Sequence, residues 1–316
     1  MKYETGSFSS GAELKSIIEQ FADSNGWDFA NGVITKKEIY IKLSLQEKVR
    51  INNINYTLLL IQGAKTQDFS ADITNGRSGV SIASDTEGST TKIYHIFCYN
   101  DPEMIWVSIQ YDTVKFQHMG FGEIIKYGTW DGGTFFHGSV PYPYGNYTRP
   151  IIPRLFFTSS LQVNQGENLY PPSQLLCNVD GKAWITDNNN PGLDVNRNWW
   201  PGISTMANTK ISLLSPIDFN NQNNINKSIN QFNNQKILRP FVLFAKKGDF
   251  YFPVGCIKHI RDWVYMKDNE PLDTIEVGSE KFKIMPWSFK GNDMGWGETN
   301  YYPEAGMRGI GLSVDE

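Results

Sequence analysis

Histidine is the side chain that most often performs acid–base chemistry or binds a transition metal near neutral pH. The chain has four histidines, and none stands two or four residues from another metal-binding side chain. His118 and His137 could approach each other across a hairpin, but His95 and His259 are isolated in apolar segments. The spacing therefore predicts no metal site, and we expect all four histidines to be structural.

Nucleophiles and phosphate-binding loops also have recognisable patterns, and neither occurs in this sequence. There is no Gly-x-Ser-x-Gly elbow, and the segments GFG and GTWDGG lack the Gly-Lys-Ser/Thr of a P-loop. Segment 187–198 has clustered oxygens without the spacing or the final glutamate of a calcium loop. The three cysteines are far apart, which argues against a disulfide framework, so we expect free, buried thiols at Cys98, Cys177 and Cys256. No cofactor is predicted.

Paired carboxylates beside aromatic rings are typical of glycoside hydrolases. Three places combine the two residue types: Asp131 beside Trp130, Glu123 near Tyr127, and Asp194 near Trp199 and Trp200. A hydrolase needs its two carboxyl groups about 5 to 9.5 Å apart, and the sequence supplies no such distance. An aspartate before glycine is also an ordinary turn residue. We therefore predict that the protein is not an enzyme, and sugar binding without hydrolysis stays an alternative.

One helix is predicted near the beginning of the chain. Ser10 can cap it, and Glu13 three residues later completes a capping box. Apolar residues then recur at helical spacing until segment 23–26, where a glycine can end the helix. The polar face, which includes Glu19, is expected to be solvated, and the apolar face to pack on a sheet.

Strands and loops are predicted for most of the remaining chain. Asn31-Gly32 is a two-residue hairpin signal, and segment 100–103 is a turn. Alternating or continuous apolar patterns predict strands at 38–43, 55–62, 92–99 and 104–114. These elements predict the α+β class, with an N-terminal helix packed on a mainly antiparallel β-sheet, β-rich with long loops.

Closely spaced prolines from Pro141 onward predict a coil on the surface and a change of organisation. We expect a helix plus antiparallel β domain at 1–158, a loop-rich insertion or arm at 159–235, and a C-terminal β segment at 236–316. The last segment could complete the same sheet. Its predicted strands are 237–245, 250–257, 263–266, 273–277 and 281–285, and the glycine-rich residues 291–316 are expected to form an arm.

Composition excludes some partners. A net charge of -4 argues against nucleic acid, which attracts a basic surface. The first residues lack the apolar centre of a signal peptide, and no apolar run approaches the roughly 20 residues that span a bilayer. We expect synthesis in the cytoplasm and no membrane partner.

Aromatic residues make up 14% of the chain, and several tryptophans stand in glycine- or proline-containing turns. Such rings can anchor a protein interface, or they can close the ends of a sheet, and both interpretations stay open. The candidate interface residues are Trp130, Asp131, Trp199, Trp200, Trp287 and Trp296.

The order of these elements resembles a group of virion structural proteins of tailed bacteriophages. The matching features are a capped helix that ends in NGW, the strand EIYIKL, the segment IWVSIQYDTVKFQHMGFGEI before a Pro- and Tyr-rich coil, and a late FPVGCI strand. Residues match in three blocks, at about 9–43, 104–145 and 238–285, whereas 159–235 matches nothing in that group. The resemblance implies assembly and carries no catalytic residues.

The resemblance implies a non-enzymatic component of the virion, in the tail or baseplate, that is synthesised in the cytoplasm of the bacterial host. Its expected partners are further copies of itself in a symmetric ring and other virion proteins, and the long loops fit such contacts. Two alternatives remain: a carbohydrate- or receptor-binding protein, which would have a glycan receptor, and a neck or head–tail connector component.

Overall fold

A computed structural model describes residues 1–51, 54–64, 66–69, 78–83, 92–114, 116–138, 174–179, 183–186, 211–214, 238–247, 250–266, 269–286 and 308–315. Within these ranges the chain is β-rich, with one helix and three antiparallel sheets. The α+β expectation is compatible with this arrangement, although the helical content is small. The predicted long loops and the division into three domains lie largely outside the described residues and stay predictions.

The chain begins with a strand, β1 (Lys2–Phe8), and continues into the helix α1 (Gly11–Ser24). The hydroxyl of Ser10 accepts a hydrogen bond from the amide of Glu13, as predicted, at 3.1 Å. The Glu13 carboxylate in turn accepts from the amide of Ser9, at 2.8 Å, so two amides at the helix N-terminus are satisfied. Gly26, with φ of +78°, follows the end of the helix in the left-handed conformation.

Five strands after α1 form what we call the helix-side sheet, in the order β2-β3-β4-β5-β6. Asn31 and Gly32 have φ of 55° and 77°, the conformation that the predicted two-residue hairpin between the first two strands requires. The strands are β2 (Asp28–Ala30), β3 (Val33–Lys36), β4 (Ile39–Ile51), β5 (Ile54–Ala64) and β6 (Ser78–Ala83).

The central sheet has seven strands in the order β1-β7-β8-β9-β11-β12-β13, so β1 joins strands that are far from it in sequence. From β7 onward the sheet is an antiparallel meander, as predicted. Between its third and fourth meander strands, the two-residue strand β10 (Ile125–Lys126) leaves to pair with the next sheet. The meander strands are β7 (Lys92–Asn100), β8 (Glu103–Gln110), β9 (Phe116–Glu123), β11 (Gly132–Gly138), β12 (Gln174–Val179) and β13 (Ala183–Thr186).

The C-terminal sheet has the order β14-β15-β16-β19-β18-β17, with β10 as an additional partner of β16. The predicted hairpin at 277–280 joins β17 to β18, with Gly278 at φ of +65°. The strands are β14 (Ile211–Leu214), β15 (Arg239–Lys247), β16 (Phe250–Tyr265), β17 (Thr274–Val277), β18 (Glu280–Pro286) and β19 (Arg308–Ser313).

The central sheet is the middle layer of the described structure. On one face, residues such as Ile105 and Phe121 share a core with α1 and the helix-side sheet. On the other face, residues such as Trp106 and Phe135 share a second core with the C-terminal sheet. Because both faces are covered, the residues of β8 from Glu103 to Ile109 are all buried. This burial explains why the sequence of the strand is mainly apolar and does not alternate with polar residues.

The structure corrects several sequence expectations. A strand precedes the helix, and Glu19 is buried beside Lys15, with 2.6 Å between the charged atoms, although its face was expected to be solvated. The two strands expected at 250–257 and 263–266 are one strand, β16. The expected C-terminal arm includes β19, which lies between β16 and β18. Strand pairing decides these placements, and it depends on residues far away in sequence.

Region 159–235 was expected to be a loop-rich insertion or arm. Its described residues are three short strands, β12 and β13 at one end of the central sheet and β14 at one end of the C-terminal sheet. The C-terminal strands build a sheet of their own and do not extend the central one, apart from the contribution of β10.

Candidate functional site

All four histidines lie between the central sheet and the C-terminal sheet. His95, His118 and His137 stand on β7, β9 and β11, and His259 stands on β16. None is more than 4% exposed. Because a charged imidazole is poorly solvated in such a place, these side chains are expected to be neutral and hydrogen-bonded. They are the first candidates for chemistry, and their geometry decides what they can do.

His118 connects the two sheets through a hydroxyl–imidazole–carbonyl chain. The Ser108 hydroxyl lies 2.8 Å from Nδ1, and the Pro286 carbonyl oxygen lies 2.9 Å from Nε2. A carbonyl only accepts, so Nε2 carries the hydrogen and Nδ1 accepts from Ser108. Burial lowers the pKa of His118 to about 4, which keeps the ring neutral. Both Ser108 and His118 have 0% exposure, so this pair braces two sheets and does not face a substrate.

His95 forms a second polar group at the rim of the same layer. The Tyr3 hydroxyl lies 2.9 Å from its Nδ1, and the Gln110 side-chain oxygen lies 3.1 Å from its Nε2. The Thr5 hydroxyl is 3.3 Å from Nδ1 and donates to the Tyr94 carbonyl at 2.8 Å. Burial lowers the pKa of His95 and raises that of Tyr3, so the phenol stays protonated and donates to a neutral ring. The arrangement fastens β1 to the sheet.

His137 and His259 are held by stacking on aromatic rings. His137 lies nearly parallel to Trp106, with ring centres 5.5 Å apart, and His259 lies over Tyr99 at 4.1 Å. The Tyr99 hydroxyl donates to the carbonyl of Ser313 at 2.7 Å, which ties the central sheet to the C-terminal sheet again. Burial, followed by the nearby Lys258 ammonium, lowers the pKa of His259 to about 4.

The glycines of segment GFG belong to β9 and serve packing. Gly120 is the pairing partner of Trp106, and a Cβ at this position would collide with the indole ring. The absence of a side chain lets the largest ring of β8 lie flat across the neighbouring strand. A glycine inside an apolar strand is a known sign of such a close approach, and this signal could have placed GFG in a strand.

A group of charged side chains surrounds Glu103, at the beginning of β8. Glu103 is 6% exposed, and its carboxylate lies 3.0 Å from the Lys36 ammonium and 3.4 Å from that of Lys37. Lys37 also lies 3.7 Å from the carboxylate of Glu123, one of the acids proposed for sugar chemistry. Two lysines that pair with two carboxylates form a structural ion network between the helix-side and central sheets.

Trp130 and Asp131 lie in the turn between β10 and β11. The Trp130 ring is partly buried against the core that the central and C-terminal sheets share. The Lys126 ammonium lies 5.4 Å from the ring centre and donates to the Trp130 carbonyl at 2.9 Å. Of the two interpretations, this packing favours a ring that closes the end of the sheets, whereas Asp131 is exposed.

The other candidate residues cannot be placed. The described ranges do not include Asp194 or segment 187–198, nor the remaining candidate interface residues Trp199, Trp200, Trp287 and Trp296. Their proposed role in an interface therefore stays a prediction.

The three cysteines are free. Cys98 and Cys177 are buried, as predicted, and burial raises the pKa of both thiols. Cys256 is only partly buried, contrary to the expectation, because it lies on the outer side of β16 next to β10. Among the described residues, no group of three or more His, Cys, Asp or Glu side chains is arranged to hold a metal ion.

Sequence reasoning missed one exposed feature, the outer edge of β1. Residues 2–5 of this strand are exposed, and within the described part of the chain β7 is the strand that pairs with it. Tyrosine, threonine and phenylalanine in the segment KYETGSF favour a strand, and this was the available signal. An open edge presents backbone donors and acceptors to solvent.

Comparison with models of protein families finds no family that matches this chain, and comparison with curated proteins finds no relative. Among the helical residues that the structure describes, no segment is long and apolar enough to cross a bilayer.

Proposed function

We propose that the protein is a non-enzymatic structural component of a tailed-phage particle, in the tail or baseplate, which assembles with copies of itself and with neighbouring virion proteins. The observation that carries this proposal is the contrast between interior and surface. His118, His259 and the Glu103 ion pairs connect neighbouring layers, whereas the exposed feature is a strand edge suited to pairing with another chain. A rigid layered scaffold with an open edge fits assembly better than catalysis.

The distribution of the resembling blocks also supports the proposal. Block 9–43 contains α1 and part of the helix-side sheet, block 104–145 contains β8, β9 and β11 of the middle layer together with β10, and block 238–285 contains most of the C-terminal sheet. The residues on which the resemblance rests thus lie in all three layers and are not confined to one motif. Region 159–235, which has no counterpart there, contributes strands at the ends of two sheets.

Quantitative mass spectrometry of purified phage particles tests the proposal. The protein should be present at a fixed copy number per particle that matches the symmetry of a ring, and it should remain after washes that remove host proteins. Immunogold labelling would then separate the tail or baseplate from the neck, the location of a connector component. Absence from particles of a phage that encodes the protein would contradict the proposal.

A carbohydrate- or receptor-binding function is the second candidate, and one observation favours it. Tyr127 in the turn after β10 is 45% exposed, and Asp131, in the same turn, is also exposed. An aromatic ring and a carboxylate are both side chains that can contact a sugar. A glycan array with the wild type and Tyr127→Ala would show binding that depends on Tyr127 if this candidate is correct. Binding to no glycan would leave the structural role as the better account.

A further inference from the structure

Strand β1 is the open end of the central sheet. It pairs with β7 from Lys2 to Phe8, and the described residues contain no strand on its other side. The side chains of residues 2–5 and 7 are exposed, so this edge is accessible to solvent along most of its length. An unpaired edge is a template for strand addition, and proteins commonly protect such edges with charged side chains. Lys2 and Glu4 are the charges that β1 carries on this edge.

We propose that β1 pairs antiparallel with β1 of a second copy of this chain, about a two-fold axis at Tyr3. In this register Tyr3 faces Tyr3 of the copy, and Lys2 faces Glu4 on both sides of the axis. The two central sheets become one continuous sheet across the dimer. This inference does not depend on the role in a virion, because a β1-paired dimer could form in any setting.

The charges select this register. In a two-fold symmetric antiparallel pair, the residue at the axis faces the same residue of the copy. The axis could lie at any residue of β1, and each position gives a different register. With the axis at Glu4, the two Glu4 carboxylates would stand opposite each other, and like charges directly opposite destabilise a strand pair. With the axis at Thr5, Lys2 would face Phe8, which is buried within its own copy. The axis at Tyr3 places an opposite charge across from each charged residue.

The side chains of β1 are already held in place for this contact. The Tyr3 ring lies 4.8 Å from that of Phe97, its hydroxyl is bonded to His95, and the Lys283 ammonium lies 5.7 Å from its centre. Tyr3 nevertheless remains 38% exposed, which leaves apolar ring surface for a partner to cover. The Glu4 carboxylate accepts a hydrogen bond from Tyr94 at 2.9 Å. Pre-ordered side chains reduce the entropy lost on association.

A charge reversal tests the proposal on the full-length chain. Sedimentation equilibrium of the wild type should show a monomer–dimer equilibrium, and Glu4→Lys should weaken it by about tenfold or more, because two attractive pairs become repulsive. The double variant Lys2→Glu with Glu4→Lys restores opposite charges and should return the dissociation constant to within about threefold of the wild type.

Controls separate this effect from misfolding and from other surfaces. Glu38→Lys makes the same change of charge at an exposed turn away from β1 and should dimerise like the wild type. Circular dichroism should show that all variants are folded. A wild type that stays monomeric at every concentration would overturn the proposal, and so would a Glu4→Lys variant that associates as tightly as the wild type, which is the behaviour expected of a ring formed through other surfaces.

Cross-linking checks the register independently. In a Cys256→Ser background, which removes the partly exposed thiol, Tyr3→Cys would place two cysteines opposite each other. Their Cα atoms would lie about 4.5 to 5.5 Å apart, within the range that a disulfide spans. Thr5→Cys is the matched control, because its thiols would be offset by four residues, about 13 Å along the strands. Failure of Tyr3→Cys to cross-link, or equally fast cross-linking of Thr5→Cys, would overturn the proposed register.

Discussion

The two faces of the central sheet differ in how they are held. The face toward α1 packs through apolar side chains, such as Ile105 and Phe121, against Leu14 and the edge of the Trp27 ring. The face toward the C-terminal sheet combines large rings with buried histidines, and His118 bonds across to Pro286 of the facing sheet. The first interface depends mainly on apolar burial and includes the ion pairs of Glu103 with Lys36 and Lys37, whereas the second combines burial with hydrogen bonds and ring stacking of histidines.

The two layers are therefore aligned in different ways. Apolar contacts have no direction, so the layer formed by α1 and the helix-side sheet is aligned mainly by the fit of its side chains. Two broad sheets have many alternative alignments, and directional hydrogen bonds that must be satisfied when buried penalise most of them. The hydrogen bond of His118 to Pro286 and the stacking of His259 on Tyr99 therefore favour one alignment of the central and C-terminal sheets, and the following predictions test this contrast.

Mild acid should weaken the histidine-containing interface most. An unfolded histidine has a pKa of about 6.5, whereas His118 and His259 in the fold have pKa values of about 4. The unfolded state therefore binds protons first, so stability is complete above about pH 6.5 and is lost as the pH falls toward 4. Each histidine should account for about 3 kcal/mol over this range.

Urea denaturation at pH 6.5, 5.5 and 5 measures this loss while most carboxylates are still ionised. His118→Gln keeps a donor for the Pro286 carbonyl but has no titratable ring, so it should reduce the pH dependence by about a third to a half, because His259 and His95 still titrate. A wild type whose unfolding midpoint is unchanged between pH 6.5 and 5 would show that the buried histidines do not control this interface.

Truncation of Trp106 should be the most damaging single substitution among those proposed. Trp106→Ala removes a fully buried ring that stacks on His137, and it should lower the free energy of unfolding by about 3 to 5 kcal/mol. Double-mutant cycles should give coupling with His137→Ala, of about 0.5 to 3 kcal/mol, because the rings are in contact. Leu14→Ala, in the core on the other face, should be additive with Trp106→Ala. If the cycle of Trp106 with Leu14 gave as large a coupling energy as the cycle of Trp106 with His137, the two faces would not be independent.

A methyl group at Gly120 should disturb the same face by overpacking. Gly120→Ala would place a Cβ against the Trp106 ring and should cost about 1 to 3 kcal/mol in urea unfolding. Trp106→Phe in the same chain shortens the ring and should recover part of the loss. No recovery would indicate that the backbone of β9, and not the indole, makes position 120 intolerant of a side chain.

The smallest effect is expected on the helix side. Ser10→Ala removes the acceptor for the Glu13 amide and should cost about 1 kcal/mol, whereas Ser10→Gly should cost only a few tenths. Thermal unfolding, followed by the circular-dichroism signal of the helix, measures the loss of stability of both variants. Ser10→Thr keeps a side-chain oxygen acceptor, and a loss as large as that of Ser10→Ala would show that the hydrogen bond to the Glu13 amide is not the stabilising contact.

Local sequence patterns were sufficient to predict the elements that are determined by neighbouring residues. The cap at Ser10, the Asn31-Gly32 turn and the hairpin around Gly278 depend on residues within a few positions, and the structure confirms all three. The strand β1 and the central position of β19 were missed, because their partners are distant in sequence. The same limit applied to Trp130, since a turn motif does not reveal whether its ring packs inward.

The sequence by itself determined the helix, the main turns and the β-rich character, because propensity and apolar patterning act over short distances. Only the tertiary structure decided that the four histidines share one interlayer space, that Gly120 makes room for Trp106, and that β1 ends the sheet with an open edge. Those features depend on which strands become neighbours, and strand neighbours are chosen by the burial of whole sheet faces.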